Sequence, residues 1–171
     1  MISTFGDGEG GTVCTWGSGT IIDDHHVLTA GHTVWHRKYG PATSTIICRD
    51  IRADPRALDE RRVDTVGVQY RWAKGHEKQH DFAVLYVSKR FPNSIKRMKC
   101  ETPTVQYPIR VQIYGFDYGE PEGRGRNRDG RLFSSSGRVQ HEVSKDKLFS
   151  HDGDTEEGTY GYYPIAAGHE K

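Results

Sequence analysis

Hydrophobic positions in this chain come in short alternating or continuous runs, and none keeps a helical period over a useful length. Thr12 to Trp16 predicts a strand. Gly19 to Ile22 and Val27 to Thr29 predict two more, with the polar turn Asp23-Asp24-His25-His26 between them. The β-branched run Ser44 to Arg49 predicts another. Val63, Val66, Val68 and Tyr70 space out a strand over Val63 to Tyr70, and Asp81 to Val87 is a continuous apolar run of the kind a buried strand carries. Ile109 to Phe116 reads as a strand, and Ser136 to Val143 and Lys147 to Ser150 as weaker ones.

The intervening stretches read as connections. Residues 1 to 11 are rich in glycine and acid and predict a loose lead-in, and the charged Pro55 to Arg62 fits a loop or one helical turn. Phe91 to Pro108 holds Pro92, Pro103 and Pro108 and predicts a connector. Glu120 to Arg131 is a loop in which Arg124, Arg126, Arg128 and Arg131 stand among glycines as a solvated basic surface. Many short strands with turn signals imply an all-β protein, a sandwich or a pair of barrels.

Composition narrows this further. A chain of 171 residues holds one domain or two small lobes. Its 20 glycines suit many tight connections, and 34% hydrophobic content makes for economical burial. A formal net charge of +1 gives no argument for nucleic acid or an anionic membrane as partner. No apolar run approaches the length of a membrane span. The opening Met1-Ile2-Ser3-Thr4-Phe5-Gly6-Asp7 has neither a basic region nor an apolar core, so no signal peptide is visible. Cys14, Cys48 and Cys100 are odd in number, which leaves at least one thiol unpaired; Cys48 with Cys100 is a possible bridge, and three idle thiols are the other reading.

The chemistry concentrates at the ends of two strands. After the Gly19 to Thr29 hairpin comes Ala30-Gly31-His32, where a small residue and a glycine let the backbone pass close to its neighbours before a histidine. This resembles the Thr-Ala-(Ala/Gly)-His signature of trypsin-like serine proteases. With Gly17-Ser18-Gly19-Thr20-Ile21-Ile22 upstream it is most similar to the branch that includes the V8 or glutamyl endopeptidases. His80-Asp81-Phe82-Ala83-Val84-Leu85 resembles the same family's aspartate at the head of a buried strand. The resemblance implies that His32 is a general base and that Asp81 accepts a hydrogen bond from its ring, fixing the tautomer. In many such chains a cysteine follows the catalytic histidine. Here that position is Thr33, so Cys14 lacks the partner the resemblance would supply.

A third stretch both matches the family and departs from it. Asp152 to Pro164 resembles the loop that carries the family's nucleophile: Gly158 falls on its first glycine, Gly161 on its second and Pro164 on its closing proline. Tyr160 then occupies the position of the family serine, with one extra residue before Pro164. The N–H groups of Gly158 and Tyr160 could still form an oxyanion cradle, since main-chain donors do not depend on the side chain. A phenol that titrates at about 10 cannot serve as the serine does. Thr159 faces the other way along an extended segment, and Tyr162 and Tyr163 add an aromatic surface or packing. Few residues follow Tyr160, whereas family members continue with at least one more strand pair.

A rival string is His76-Glu77-Lys78-Gln79-His80, which matches the His-Glu-x-x-His of zinc metallopeptidases. That string binds zinc only on a helix, where both histidines share a face. Gly75 before it and a strand directly after it imply a polar loop instead. His25, His26, His36, His141, His151 and His169 show no ligand-like spacing.

The resulting expectation is an all-β protein of two antiparallel, six-stranded-type β-barrels, the second incomplete. The lobes span 1–95 and 103–171 with a connector at 96–102. The resemblance implies a serine endopeptidase homologue, impaired by Tyr160, that acts on proteins or peptides as an extracellular monomer without metal or cofactor, nucleic acid or membrane. The alternative is a non-catalytic homologue that binds peptides or proteins; the remote one is a zinc metallopeptidase through His76, Glu77 and His80.

Overall fold

A computed structural model describes residues 1–49, 59–100, 108–116, 132–142, 149–152 and 165–166. The chain divides into two compact units, Met1–Cys100 and Glu101–Lys171.

The first unit is built from short antiparallel strands. β1 (Ile2–Gly6) pairs with β2 (Thr12–Trp16) and, on its other side, with β7 (Ser44–Arg49), which pairs with β8 (Asp59–Arg62). A second sheet has the order β3 (Gly19–Ile21), β4 (His26–Thr29), β10 (Ala83–Tyr86) and β9 (Thr65–Val68). A small hairpin joins β5 (Trp35–His36) to β6 (Gly40–Pro41). The single described α-helix, α1 (Tyr70–Gly75), lies between β9 and β10 in sequence.

The apolar run read as a buried strand explains the core. Along β10 the inward positions Ala83 and Leu85, followed by Val87, meet Val27, Val34, Met1 and Phe91, with Ile21, Ile47, Val63, Val68 and Ile95 packed around them. Leu85 and Val87 have no exposure at all.

Three stretches depart from the sequence expectation. The lead-in contains β1, because Ser3 and Phe5 point inward and the buried Ser3 hydroxyl bonds Thr45 Oγ1 at 3.1 Å. The charged Asp59–Arg62 is a strand, because the buried Arg61 is paired with Asp59, donates to Arg90 O at 3.2 Å and lies over the Phe91 ring. The strand expected over Val63 to Tyr70 stops at Val68, and Tyr70 opens α1 instead. The strands expected at 12–16, 44–49 and 109–116 form with those bounds. Residues 50–58 and the loop at 120–131 lie outside the described residues.

The polar turn of the β3–β4 hairpin is held by its own aspartates. Asp23 Oδ1 accepts the N–H groups of His25 and His26, both at 2.8 Å. Asp24 reaches across to the segment after β10, where its two oxygens accept from Arg90 and from Arg97, the latter at 2.8 Å. Arg97 also donates to the carbonyls of Phe91 and Pro92, so one ion-pair cluster fastens the last stretch of the unit to the β3–β4 hairpin.

In the second unit the described strands form one antiparallel sheet, ordered β13 (Phe149–His151), β12 (Leu132–Glu142), β11 (Ile109–Phe116) and β14 (Ile165–Ala166). β12 is longer than its sequence announces, and it pairs with β11 over the whole of Ile109–Phe116. Val111, Ile113 and Val139 make its small buried cluster.

Two predictions test this account. Leu85→Ala is expected to cost about 2–5 kcal/mol of stability as a core truncation, and Val66→Ala, on the exposed edge strand, within about 0.5 kcal/mol; chemical denaturation of both variants checks the contrast. The second concerns pH. Partial desolvation pushes the Asp24 carboxyl up, but the hydrogen bonds and charges of Arg90 and Arg97 outweigh it and hold it below its ordinary range. A group lowered in the folded state contributes stability above its unfolded pKa of about 3.9 and loses it as pH falls through the folded value. Asp24→Asn should therefore lower Tm at neutral pH, and the gap to wild type should close in acid; a gap that persists unchanged at pH 2 would refute the assignment.

Candidate active site

The strand register brings the two chemistry-bearing ends together. β10 and β4 pair antiparallel with Ala83 opposite Thr29, so the residues just before β10 lie alongside those just after β4. Asp81 precedes β10, and His32 sits in the tight turn Gly31–Thr33 that follows β4. Although 49 residues separate them, Asp81 accepts two hydrogen bonds from His32: Oδ1 from the backbone N–H at 2.7 Å and Oδ2 from ring Nδ1 at 2.7 Å. An ionised carboxylate has no proton to give, so Nδ1 carries the hydrogen and Nε2 is the basic nitrogen of the ring. The Asp81 side chain is 23% exposed and that of His32 35%, so the pair is partly shielded from solvent.

The turn that carries His32 is braced from below. Thr33 Oγ1 donates to Ala30 O at 2.6 Å, and Thr29 Oγ1 donates to Ser18 O at 2.8 Å, with the two hydroxyls 3.1 Å apart. Thr29 and Thr33 are buried. A hydroxyl pair thus holds the place where the family resemblance would expect a cysteine. Cys14, Cys48 and Cys100 are all free thiols.

The sequence reading missed Trp72. It is buried on α1, its indole N–H donates to Trp35 O at 3.3 Å, and its ring stands edge-on to His32 with centroids 6.3 Å apart. The available signal was Gly31, whose small size the indole exploits: a Cβ there would lie 2.7 Å from Trp72 Cδ1.

The metallopeptidase string does not form a helix. α1 ends at Gly75, His76 follows in the left-handed conformation at φ 50°, and Lys78–His80 is a separate short turn. Glu77 faces His80 at 3.8 Å, Arg71 at 3.7 Å and Gln79 at 3.1 Å. Among the described residues no group of three or more His, Cys, Asp or Glu side chains is placed to hold a metal ion. Gly158 and Tyr160 lie outside the described residues.

No protein-family model matches the chain, and no curated protein does. Solved structures share its fold. A Glu endopeptidase superposes with a TM-score of 0.58 at 18% identity, over 83% of this chain and 63% of that one. The protease Anisep from Arthrobacter nicotinovorans gives 0.61 at 14% identity, over 99% of this chain and 83% of that one. The scabies mite inactivated protease paralogue S-I1 gives 0.51 at 19% identity, over 82% and 60%. This chain spans less than two thirds of the length of the Glu endopeptidase. At these identities the likeness is one of fold, and the fold is the chymotrypsin-like antiparallel β architecture that the sequence implies.

The geometry of 76–80 yields a prediction. Two histidines of which the first, His76, is left-handed and the second, His80, ends a separate turn do not share one helical face. The purified protein is expected to hold no stoichiometric zinc by elemental mass spectrometry. One equivalent of zinc, lost in His80→Ala, would promote the metallopeptidase reading.

Proposed function

We propose that this chain is a serine-endopeptidase homologue that keeps the family's proton-transfer pair and is impaired at the nucleophile. The observation that carries the reading is the double hydrogen bond from His32 to Asp81. In this proposal His32 is the general base, taking a proton at Nε2 from an attacking hydroxyl. Asp81 fixes the ring's tautomer and orientation and stabilises the imidazolium. The substrate class is a protein or peptide, and the place of action is extracellular; the protease-like fold of the solved neighbours supports both. The similarity of the His32 region to the V8 branch belongs to the same proposal. So does the division into lobes of 1–95 and 103–171.

The nucleophile is where the reaction stops. Tyr160 at the serine position puts a phenol in place of a primary hydroxyl, one that titrates at about 10 and whose oxygen lies a full ring farther from the main chain. Gly158 and Tyr160 would keep their N–H groups for an oxyanion cradle. Loss of the nucleophile in a triad costs about six orders of magnitude in turnover.

A second reading follows from the same tyrosine. A chain that holds the fold and the pair but cannot form an acyl intermediate is suited to binding peptides or proteins without cleaving them. That one solved neighbour is described as an inactivated protease paralogue supports this reading by analogy of fold.

Labelling by a serine-directed fluorophosphonate tests the proposal. Wild type is expected to remain unlabelled. Tyr160→Ser is expected to label weakly, because the extra residue before Pro164 shifts the loop. Labelling of wild type that disappears in His32→Ala would mean that another side chain is the nucleophile, and the reading of the Tyr160 loop would fall.

A further inference from the structure

The buried indole beside the pair has no place in the mechanism so far. Trp72 does not belong to the apolar cluster around Leu85 and Val87, although it is 8% exposed. Its neighbours are instead the parts of the candidate site. The ring lies against Gly31, edge-on to His32 at 6.3 Å and edge-on to His76 at 5.1 Å, and its N–H is fixed on Trp35 O.

Glycine at position 31 has no conformational reason of its own. Its φ lies outside the left-handed region, where Gly8, Gly10 and Gly40 sit. The reason is steric. A Cβ at 31 would lie 2.7 Å from Trp72 Cδ1, 3.1 Å from Trp72 Cγ and 3.1 Å from Asp81 Oδ1. The missing methyl is therefore filled by an indole on one side and borders the carboxylate on the other. Trp72 and Asp81 come from one segment, α1 and the turns after it; His32 and Trp35 come from another. The indole, carried by the first segment, holds the second at two points, by packing at Gly31 and by its hydrogen bond at Trp35.

We propose that Trp72 is a positioning residue for the His32–Asp81 pair: packed into the space left by Gly31, it holds the segment that carries Asp81 against the turn that carries His32. The role rests on the reading of that pair as an acid–base unit. The indole carries no acid–base group of its own. It acts by limiting how far the carboxylate and the imidazole can separate, since a close-packed neighbour leaves no room for either to shift.

Proton NMR of the full chain reads the pair directly, with or without catalysis. A histidine Nδ1–H held on a carboxylate gives a low-field resonance, assigned by its loss in His32→Ala and Asp81→Asn. Trp72→Phe is expected to retain the resonance. Trp72→Leu and, separately, Gly31→Ala are expected to lose it or to speed its exchange with water at least about tenfold, the mark of more frequent local opening. Val27→Ala, a core truncation away from the pair, is expected to leave it in place, and near-UV circular dichroism verifies that each variant is folded. If Trp72→Leu does not fold, Gly31→Ala carries the test with every wild-type side chain near the pair retained. A resonance unchanged in folded Gly31→Ala, or lost equally in Val27→Ala, overturns the positioning role alone. Absence of the resonance from wild type overturns the acid–base pair itself.

Discussion

Asp81 is the constraint on which the candidate site depends, because a single carboxylate holds both the backbone and the ring of His32. Either bond alone would leave a freedom. A bond to the ring without the main chain would let the turn move, and a bond to the main chain without the ring would let the imidazole rotate. Charge-assisted bonds of this length are among the stronger ones available to a side chain. They can form only if β4 and β10 pair in the observed register, since a slip of one residue would turn every side chain of one strand to the opposite face. The core enforces that register: Leu85 and Ala83 point inward beside Val27 and Thr29, and a slip would bring Val84 and Phe82 inward in their place.

The legible part of this chain was the part whose chemistry is carried by residue type at a short spacing. Asp81 to Val87 announces a buried strand by itself, and Ser44 to Arg49 announces one by β-branching. His32 and Asp81 were singled out because the strings around them resemble those of a known family, each at the end of a strand that the sequence predicts. What escaped were positions where a polar side chain is buried with a distant partner. Ser3 is inside because Thr45 is there to bond it, and Arg61 because Asp59 and the Phe91 ring surround it. A local pattern reads both as surface. Trp72 escaped for a related reason. The alternation from Val63 onward continued on paper into Tyr70, and only the packing of α1 against the His32 turn decides that the chain coils there.

The first unit spends much of its polar inventory on fastening segments that lie far apart in sequence. Asp24 binds Arg90 and Arg97, His32 binds Asp81, and Trp72 reaches Trp35. Each such contact adds a modest net free energy, about 0.5–1.5 kcal/mol for an ordinary hydrogen bond. Their larger effect is on specificity of position. With a hydrophobic content of only 34%, the core by itself determines the fold less sharply than the polar contacts determine where its loops end.

That arrangement also bears on what a retained pair means. Among the described residues, the contacts named above that position His32 and Asp81, from Thr29 through Trp72 to Asp81 itself, lie within Met1–Cys100. Residue 160 belongs to the other unit, so nothing in these contacts requires a serine there. In the proposed reading, a substitution at the nucleophile position is compatible with an intact pair. Intact His–Asp geometry is then evidence of the architecture and not by itself of turnover. In the proposed reading, activity turns on the residue at position 160, where the sequence places a phenol and the family resemblance would place a serine hydroxyl.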